Sequence, residues 1–112
     1  MGSLSSKQLS PEEMSKVEQL VEEVIKSNKI AVFSKSYCPY CVKAKNLLKE
    51  LGLEFFVIEL DNEANGAAIQ QYLAEKTGQR TVPNIFINQQ HVGGCDDLFA
   101  AKSSGKLQKL LQ

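Results

Sequence analysis

The 112-residue chain has no tryptophan, a single histidine and no excess of either charge, because 13 lysines and arginines are matched by 13 aspartates and glutamates. This balance argues against a dedicated nucleic-acid-binding domain, which carries a basic surplus on one face. No apolar run approaches the roughly 20 residues that cross a bilayer. The polar residues 1–10 also lack the apolar stretch of a secretory signal. We therefore expect a cytoplasmic protein that binds neither nucleic acid nor membrane.

Cysteine is scarce and odd in number. Two cysteines enclose a dipeptide, in Cys38-Pro39-Tyr40-Cys41, and Cys95 stands alone. Three cysteines do not make a framework of paired disulfides. In a chain without a secretion signal, the close pair indicates redox chemistry or metal binding rather than a permanent cross-link.

The order of helix and strand patterns predicts one α/β domain over residues 10–112, preceded by a flexible tail over residues 1–9. The tail begins Met1-Gly2-Ser3, which fits an N-myristoylation pattern and is also a common expression scar, so we expect no lipid. The helical segments are expected at residues 10–27, 39–51, 67–76 and 96–111. The strands are expected at residues 30–33, 54–60, 84–87 and 91–92, with a loop over 61–66.

Connectivity constrains how these strands pair. A helix links the first two strands, so they should run parallel, whereas the short turn between the last two makes them antiparallel. One four-stranded mixed sheet with helices on both faces accommodates every segment.

The cysteine pair begins a predicted helix. Cys38 falls at the N-cap, Pro39 suits the first helical position, and the exposed N–H groups of a helix start stabilise a thiolate. We therefore expect Cys38 to be an exposed nucleophile of low pKa. Cys41 shares the apolar helix face (with Ala44, Leu48 and Leu51), so it should be buried and able to resolve a mixed disulfide on Cys38.

Three alternatives remain for the cysteines. They could form a structural disulfide, or they could be inert structural thiols. They could also bind zinc, with Cys38, Cys41, His91 and Cys95 as ligands. Two further features need no catalytic role: His91 is expected at a strand edge, and Lys43, Lys45 and Lys49 are expected to form a solvated helix face.

A second informative stretch is Arg80-Thr81-Val82-Pro83-Asn84. A proline just before a strand can follow a cis bond, which would let the backbone of Val82 pair with a bound peptide. An ordinary trans proline at a strand edge is the commoner case, and the residues alone leave both open.

Three motifs together resemble the glutaredoxin family in order and spacing, over about residues 27–111. They are Cys38-Pro39-Tyr40-Cys41, Thr81-Val82-Pro83 and Gly93-Gly94-Cys95-Asp96. The resemblance implies the thioredoxin fold, here with an extra N-terminal helix, a cis bond before Pro83 and glutathione as reductant. It is to the dithiol class, because the monothiol class has serine in place of Cys41.

Glutathione binding follows from the same resemblance. It implies that Lys35, Gln70 and Arg80 hold the glycine carboxylate, and that Val82, between Thr81 and Pro83, pairs with the cysteinyl backbone. Gly94, Cys95 and Asp96 at a helix start would hold the second carboxylate and the ammonium group. Tyr40 would line the groove beside the sulfur.

The predicted activity is glutathione-dependent reduction of protein–glutathione mixed disulfides and protein disulfides, with Cys38 as nucleophile and Cys41 as resolving thiol. We expect a monomer that requires no metal. The alternative is an iron–sulfur carrier, because some family members bridge a [2Fe–2S] cluster between two subunits. Pro39 counts against a cluster, since the resemblance implies that the members able to bridge one have glycine or serine at this position.

Overall fold

The computed structural model of the protein describes residues 9–112. The predicted tail therefore lies outside the described residues except for Leu9, which is partly buried against a hydrophobic core. The helix that follows begins with a capping box. Ser10 Oγ accepts a hydrogen bond from the Glu13 N–H, and the Glu13 carboxylate accepts one from the Ser10 N–H, which together fix the helix start.

Between residues 9 and 112 the chain forms five helices and four strands. The helices are α1 Pro11–Ser27, α2 Pro39–Glu50, α3 Gly66–Thr77, α4 Cys95–Ser104 and α5 Lys106–Leu111. The strands are β1 Ile30–Ser34, β2 Phe56–Glu59, β3 Asn84–Ile87 and β4 Gln90–Gly93. No helix in this part of the chain is both long and apolar enough to cross a membrane.

The four strands form one mixed sheet in the order β2-β1-β3-β4. β1 runs parallel to β2 and antiparallel to β3, and β4 pairs antiparallel with β3. This arrangement confirms the predicted thioredoxin fold, with α1 as the extra N-terminal helix. The carboxyl end of β1 leads directly into the loop before Cys38, so the sheet positions the cysteine pair.

Helices cover both faces of the sheet. α1 and α3 pack on one face, where Ala31 and Phe33 point, and α2, α4 and α5 pack on the other, where Ile30 and Val32 point. All four of these β1 side chains are buried. Burial on both faces explains why β1 is a continuous apolar run rather than an alternating one.

Four predicted boundaries were wrong in detail. β2 is shorter than residues 54–60, and Leu60–Asn62 forms a short 3-10 helix instead of a loop because the Leu60 side chain turns into the core. Leu51 does not share the buried face of α2: it lies at the C-cap, past the last helical residue, and is exposed. The final helical segment is two helices, because Gly105 adopts a left-handed conformation and ends α4.

Candidate active site

Cys38 is the N-cap of α2, as predicted, and Pro39 is the first residue of the helix. Its sulfur accepts a hydrogen bond from the Cys41 N–H at 3.3 Å, and the Val82 carbonyl oxygen lies 3.8 Å from the same sulfur. The side chain is partly exposed. The sulfur therefore lies at a helix N-terminus, where backbone N–H groups are unpaired and the positive end of the helix dipole is located.

Cys41 lies one turn into α2 and is completely buried. The two cysteines approach each other to 3.0 Å and are not bonded. Burial, followed by the hydrogen bond to Cys38, raises the pKa of Cys41 to about 11. The pair therefore consists of a partly exposed sulfur, that of Cys38, and a buried sulfur of raised pKa, that of Cys41.

The loop between β1 and α2 is fastened by a residue that is distant in sequence. Asp61, in the 3-10 helix after β2, accepts hydrogen bonds from both the backbone N–H and the hydroxyl of Ser36. These bonds lower the pKa of Asp61. A turn bond from the Cys38 N–H to the Lys35 carbonyl completes the loop at 3.0 Å. The loop that precedes Cys38 is therefore fixed at Ser36 by Asp61 and at Cys38 by the turn bond.

A groove of about 420 Å³ lies beside the cysteine pair. One side is the segment before β3, where the Val82–Pro83 peptide bond is cis, as the family resemblance implied. The other side is the start of α4. The groove is lined by Tyr40, Gln79, Thr81, Val82, Pro83, Gly94, Cys95, Asp96 and Asp97.

The start of α4 is built around a carboxylate. Asp97 Oδ2 accepts a hydrogen bond from the Gly94 N–H at 2.8 Å, which closes the first turn of the helix. Gly93 has φ +122, and a Cβ there would lie 2.3 Å from Asp97 Oδ2, so the position requires glycine. The Cys95 side chain is buried, and that burial raises its pKa. Cys95 thus lines the groove as a buried thiol of raised pKa.

The structure brings seven of the ten predicted glutathione-binding residues to the groove: Tyr40, Thr81, Val82, Pro83, Gly94, Cys95 and Asp96. The other three lie outside its lining. Gln70 Nε2 donates to the Arg80 carbonyl at 2.8 Å, which ties α3 to the segment before Thr81. Lys35 lies in the loop before Cys38, close enough for its charge to help lower the pKa of Asp61.

Sequence reasoning missed two residues that line the groove, Gln79 and Asp97. Asp97 stands three residues after Gly94, and this spacing of an acidic residue behind a helix start was a usable signal. Gln79 carries no such signal, because its side chain bonds to backbone carbonyls whose position depends on the turn before β3.

The zinc alternative is not supported by the geometry. Within residues 9–112, no three histidine, cysteine, aspartate or glutamate side chains gather as metal ligands. His91 instead bonds through Nε2 to Asn84 Oδ1 at 2.8 Å, and burial of its ring lowers its pKa. Cys38, Cys41 and Cys95 are likewise not joined in a structural disulfide.

The predicted lysine face of α2 is only partly solvated. Lys45 pairs with Glu59 of β2 at 2.6 Å, and only 17% and 22% of the two side chains remain exposed. Lys43 places its ammonium group 5.1 Å from the centre of the Phe99 ring. The prediction of a solvated face was therefore wrong for Lys45, because packing of α2 against β2 gives it a partner, whereas Lys43 and Lys49 are exposed.

Comparison with known proteins identifies the family. Residues 30–92 match the family model for glutaredoxin. Glutaredoxin-1 of Rhizophagus irregularis is 58% identical over 98 residues, which cover 88% of this chain and 97% of that protein.

Solved structures agree. The crystal structure of the buckwheat glutaredoxin–glutathione complex has a TM-score of 0.88 and 44% identity, covering 92% of this chain and 94% of that one. The holo form of glutaredoxin C1 from Populus tremula x tremuloides has a TM-score of 0.82 and 39% identity, covering 87% and 96%. The region that matches the family model runs from β1 into β4 and includes both the helix start at Cys38 and the cis bond before Pro83. This chain therefore belongs to the glutaredoxin family of thiol oxidoreductases.

Proposed function

We propose that the protein is a dithiol, glutathione-dependent oxidoreductase that removes glutathione from proteins and reduces protein disulfides. One observation carries the proposal: the Cys38 sulfur accepts a hydrogen bond at the start of α2 and lies 3.8 Å from the carbonyl oxygen of Val82, a residue that lines the groove. A thiolate there is an accessible nucleophile, and it is also a good leaving group when it must be released.

The first reaction uses Cys38 alone. Its thiolate attacks the glutathione sulfur of a protein–glutathione mixed disulfide, so a bond forms between Cys38 and glutathione. The old disulfide breaks, and the substrate protein leaves as a thiolate that takes a proton from water. A second glutathione thiolate then attacks the glutathione held on Cys38, which releases glutathione disulfide and restores the Cys38 thiolate.

The groove suits glutathione, which is an extended tripeptide with two carboxylates and one ammonium group. The Val82 backbone would pair with its central residue as an added strand does. The N–H groups at the start of α4 would bind one carboxylate, and Asp96 would accept from the ammonium group. Lys35, Gln70 and Arg80 would hold the glycine carboxylate from beside the groove. The complex of buckwheat glutaredoxin with glutathione supports this assignment by analogy.

Protein disulfides would require Cys41 as well. Cys38 attacks the disulfide and becomes joined to the substrate, whose other sulfur leaves as a thiolate. Cys41 then loses its proton and attacks the Cys38 sulfur, which frees the substrate as a dithiol and leaves a Cys38–Cys41 disulfide for two glutathiones to reduce. The raised pKa of Cys41 slows this step. Part of that rise comes from the neighbouring Cys38 sulfur, and this part disappears once Cys38 is bonded to the substrate.

The proposal is tested by a coupled assay in which a glutathionylated peptide is the substrate and glutathione disulfide is followed through glutathione reductase. We expect turnover by the wild-type protein above the rate without protein, and none by Cys38→Ser. Turnover by Cys38→Ser at the wild-type rate would refute the assignment of the nucleophile.

A [2Fe–2S] carrier is the alternative function, and the similarity to a protein solved in a holo form motivates a test. Such a cluster takes four ligands. Of the three cysteines only Cys38 is accessible, because Cys41 and Cys95 are buried, so each chain would supply one thiolate to a cluster bridged between two subunits. Pro39, which directly follows Cys38, counts against this form. We propose a monomer without a cluster. A brown, dimeric protein after anaerobic purification would favour the carrier instead.

We propose that the protein works in the cytoplasm, where a glutathione pool keeps such thiols reduced. Fractionation of cells with an antibody against the protein tests this. Recovery in an oxidising compartment would contradict it.

A further inference from the structure

Gln79 occupies an unusual place at the groove. Its side-chain Nε2 donates hydrogen bonds to two backbone carbonyls, those of Thr81 and Pro83, each at 2.9 Å. Gln79 and Gly94 both line the groove, from its two sides. The side-chain amide of Gln79 thus donates both its N–H groups to the two residues that flank Val82.

These bonds determine which way the Val82 backbone faces. In an extended chain, alternate carbonyls point to opposite sides. The Thr81 and Pro83 carbonyls point to Gln79, and the Val82 carbonyl points to the Cys38 sulfur, 3.8 Å away. Within residues 9–112, no backbone or side-chain group accepts a hydrogen bond from the Val82 N–H. Val82 is therefore the residue left to pair with a ligand.

A chain of hydrogen bonds, centred on the buried Asn84, holds the backbone of Gln79 on the side away from the groove. The Gln79 N–H donates to Thr77 Oγ1 at 3.0 Å, and Thr77 Oγ1 also receives the amide of Asn84 at 3.5 Å. Asn84 is only 1% exposed, and its amide oxygen bonds to His91 Nε2 at 2.8 Å. A buried amide bonded on both sides has few alternative orientations. The backbone of Gln79 is therefore fixed through Thr77 and Asn84, the first residue of β3.

We propose that Gln79 is a positioning residue that presents the Val82 backbone to the peptide backbone of glutathione, next to the Cys38 sulfur. The inference rests on the proposed function, because it specifies how that groove binds its ligand. Gln79 itself does not touch the reacting sulfurs. Its loss should weaken ligand binding and leave the chemistry at Cys38 intact.

The test uses Gln79→Met, which keeps the length of the side chain and removes both N–H donors. The matched control is Gln71→Met, the same change at an exposed position of α3. Affinity is measured by calorimetry with S-methylglutathione, which has the peptide backbone but no thiol to exchange. KM and kcat are measured with a glutathionylated peptide, and iodoacetamide labelling reports the reactivity of Cys38.

For Gln79→Met we expect affinity for S-methylglutathione to fall about five- to tenfold, as the loss of one or two net hydrogen bonds implies. KM should rise by a similar factor, while kcat and the rate of Cys38 labelling stay at wild-type values. Gln71→Met should match wild type in every measurement. Thr77→Val, which removes the hydroxyl behind Gln79, should change KM in the same direction by less.

Wild-type affinity in Gln79→Met would overturn the inference. So would a general loss of thermal stability with a changed Cys38 labelling rate, because that pattern indicates a structural role. A wild-type protein that binds S-methylglutathione but does not turn over would refute the proposed function and leave the role of Gln79 standing. A wild-type protein that fails to bind S-methylglutathione would refute the inference.

Discussion

The backbone N–H of Cys41 donates a hydrogen bond to the Cys38 sulfur at 3.3 Å, while the Cys41 side chain lies completely buried. Cys41 thus contacts the proposed nucleophile through its backbone and carries a second thiol that is buried. The two roles are separable because a substitution at position 41 changes the side chain and leaves the N–H in place.

This separation predicts the behaviour of Cys41→Ser. The Cys38 sulfur keeps its hydrogen bond, so the variant should retain most of its activity on a glutathionylated peptide. It should lose reduction of a protein disulfide, because no second thiol resolves the mixed disulfide. Both activities are measured side by side with Cys38→Ser, which should lack both. Equal losses of the two activities in Cys41→Ser would contradict the division of labour.

Alkylation should distinguish the three cysteines. Cys38 is partly exposed, whereas Cys41 and Cys95 are buried and burial raises the pKa of both. Iodoacetamide at neutral pH should therefore label the reduced native protein once, at Cys38. In denaturant all three cysteines should react, which serves as the control. Peptide mass spectrometry locates the labels, and early native labelling of Cys41 would contradict the burial argument.

Alkaline pH should destabilise the wild-type protein through Cys41. In the unfolded chain this thiol ionises near pH 9, and in the folded protein its pKa is about 11. Between these values the unfolded state has released the proton and the folded state has not, so the free energy of unfolding falls as pH rises. Above about pH 11 this contribution should change no further.

The comparison variant is Cys41→Ala, which has no group to ionise at this position. Urea unfolding of both reduced proteins from pH 8 to 11 gives the difference in their free energies of unfolding. That difference should shift in favour of Cys41→Ala as pH rises through about 9 to 11. Parallel curves across this range would show that Cys41 ionises equally in both states.

Tyr72 and Lys76 of α3 both bind Glu22 of α1, and we call these three residues the tyrosine clasp. The Tyr72 hydroxyl donates to Glu22 Oε2 at 2.5 Å, and Lys76 pairs with the same carboxylate at 2.9 Å. These bonds raise the pKa of Tyr72 to about 12 and lower that of Glu22. Tyr72→Phe should lower the free energy of unfolding by about 1 kcal/mol, the usual net value of one hydrogen bond.

Tyr37→Phe is the matched control for this prediction, because Tyr37 is 70% exposed. It should leave the midpoint of urea unfolding unchanged. Glutathione-dependent activity of Tyr72→Phe should also match wild type, since Tyr72 does not line the groove. An equal shift in both tyrosine variants would show that the clasp contributes nothing specific.

Local patterns were enough to predict much of the fold. The helix predicted at residues 10–27 begins where Ser10 and Glu13 form its cap, and the strand predicted at residues 30–33 matches the apolar run from Ile30. The position of Cys38 at the start of α2 was equally readable, because capping depends only on neighbouring residues. The mixed sheet followed from the lengths of the connections between strands.

The site was predicted less completely. The residues of the Thr81-Val82-Pro83 and Gly94-Cys95-Asp96 segments reach the groove, whereas Lys35, Gln70 and Arg80 do not line it. The cis bond before Pro83 was left open by the residues themselves and was implied only by the family resemblance. The exposure of Lys45 was misjudged, because its partner Glu59 is supplied by another element.

The sequence by itself determined the order of elements, the helix start at Cys38 and the burial of Cys41, since each depends on side chains a few residues apart. Tertiary structure alone decided the contacts that hold the site: Asp61 on Ser36 across 25 positions, Gln79 on the carbonyls beside Val82, and Lys45 on Glu59. A hydrogen bond needs its atoms within about 3 Å. For segments far apart in the chain, only the packing of helices against the sheet sets that distance.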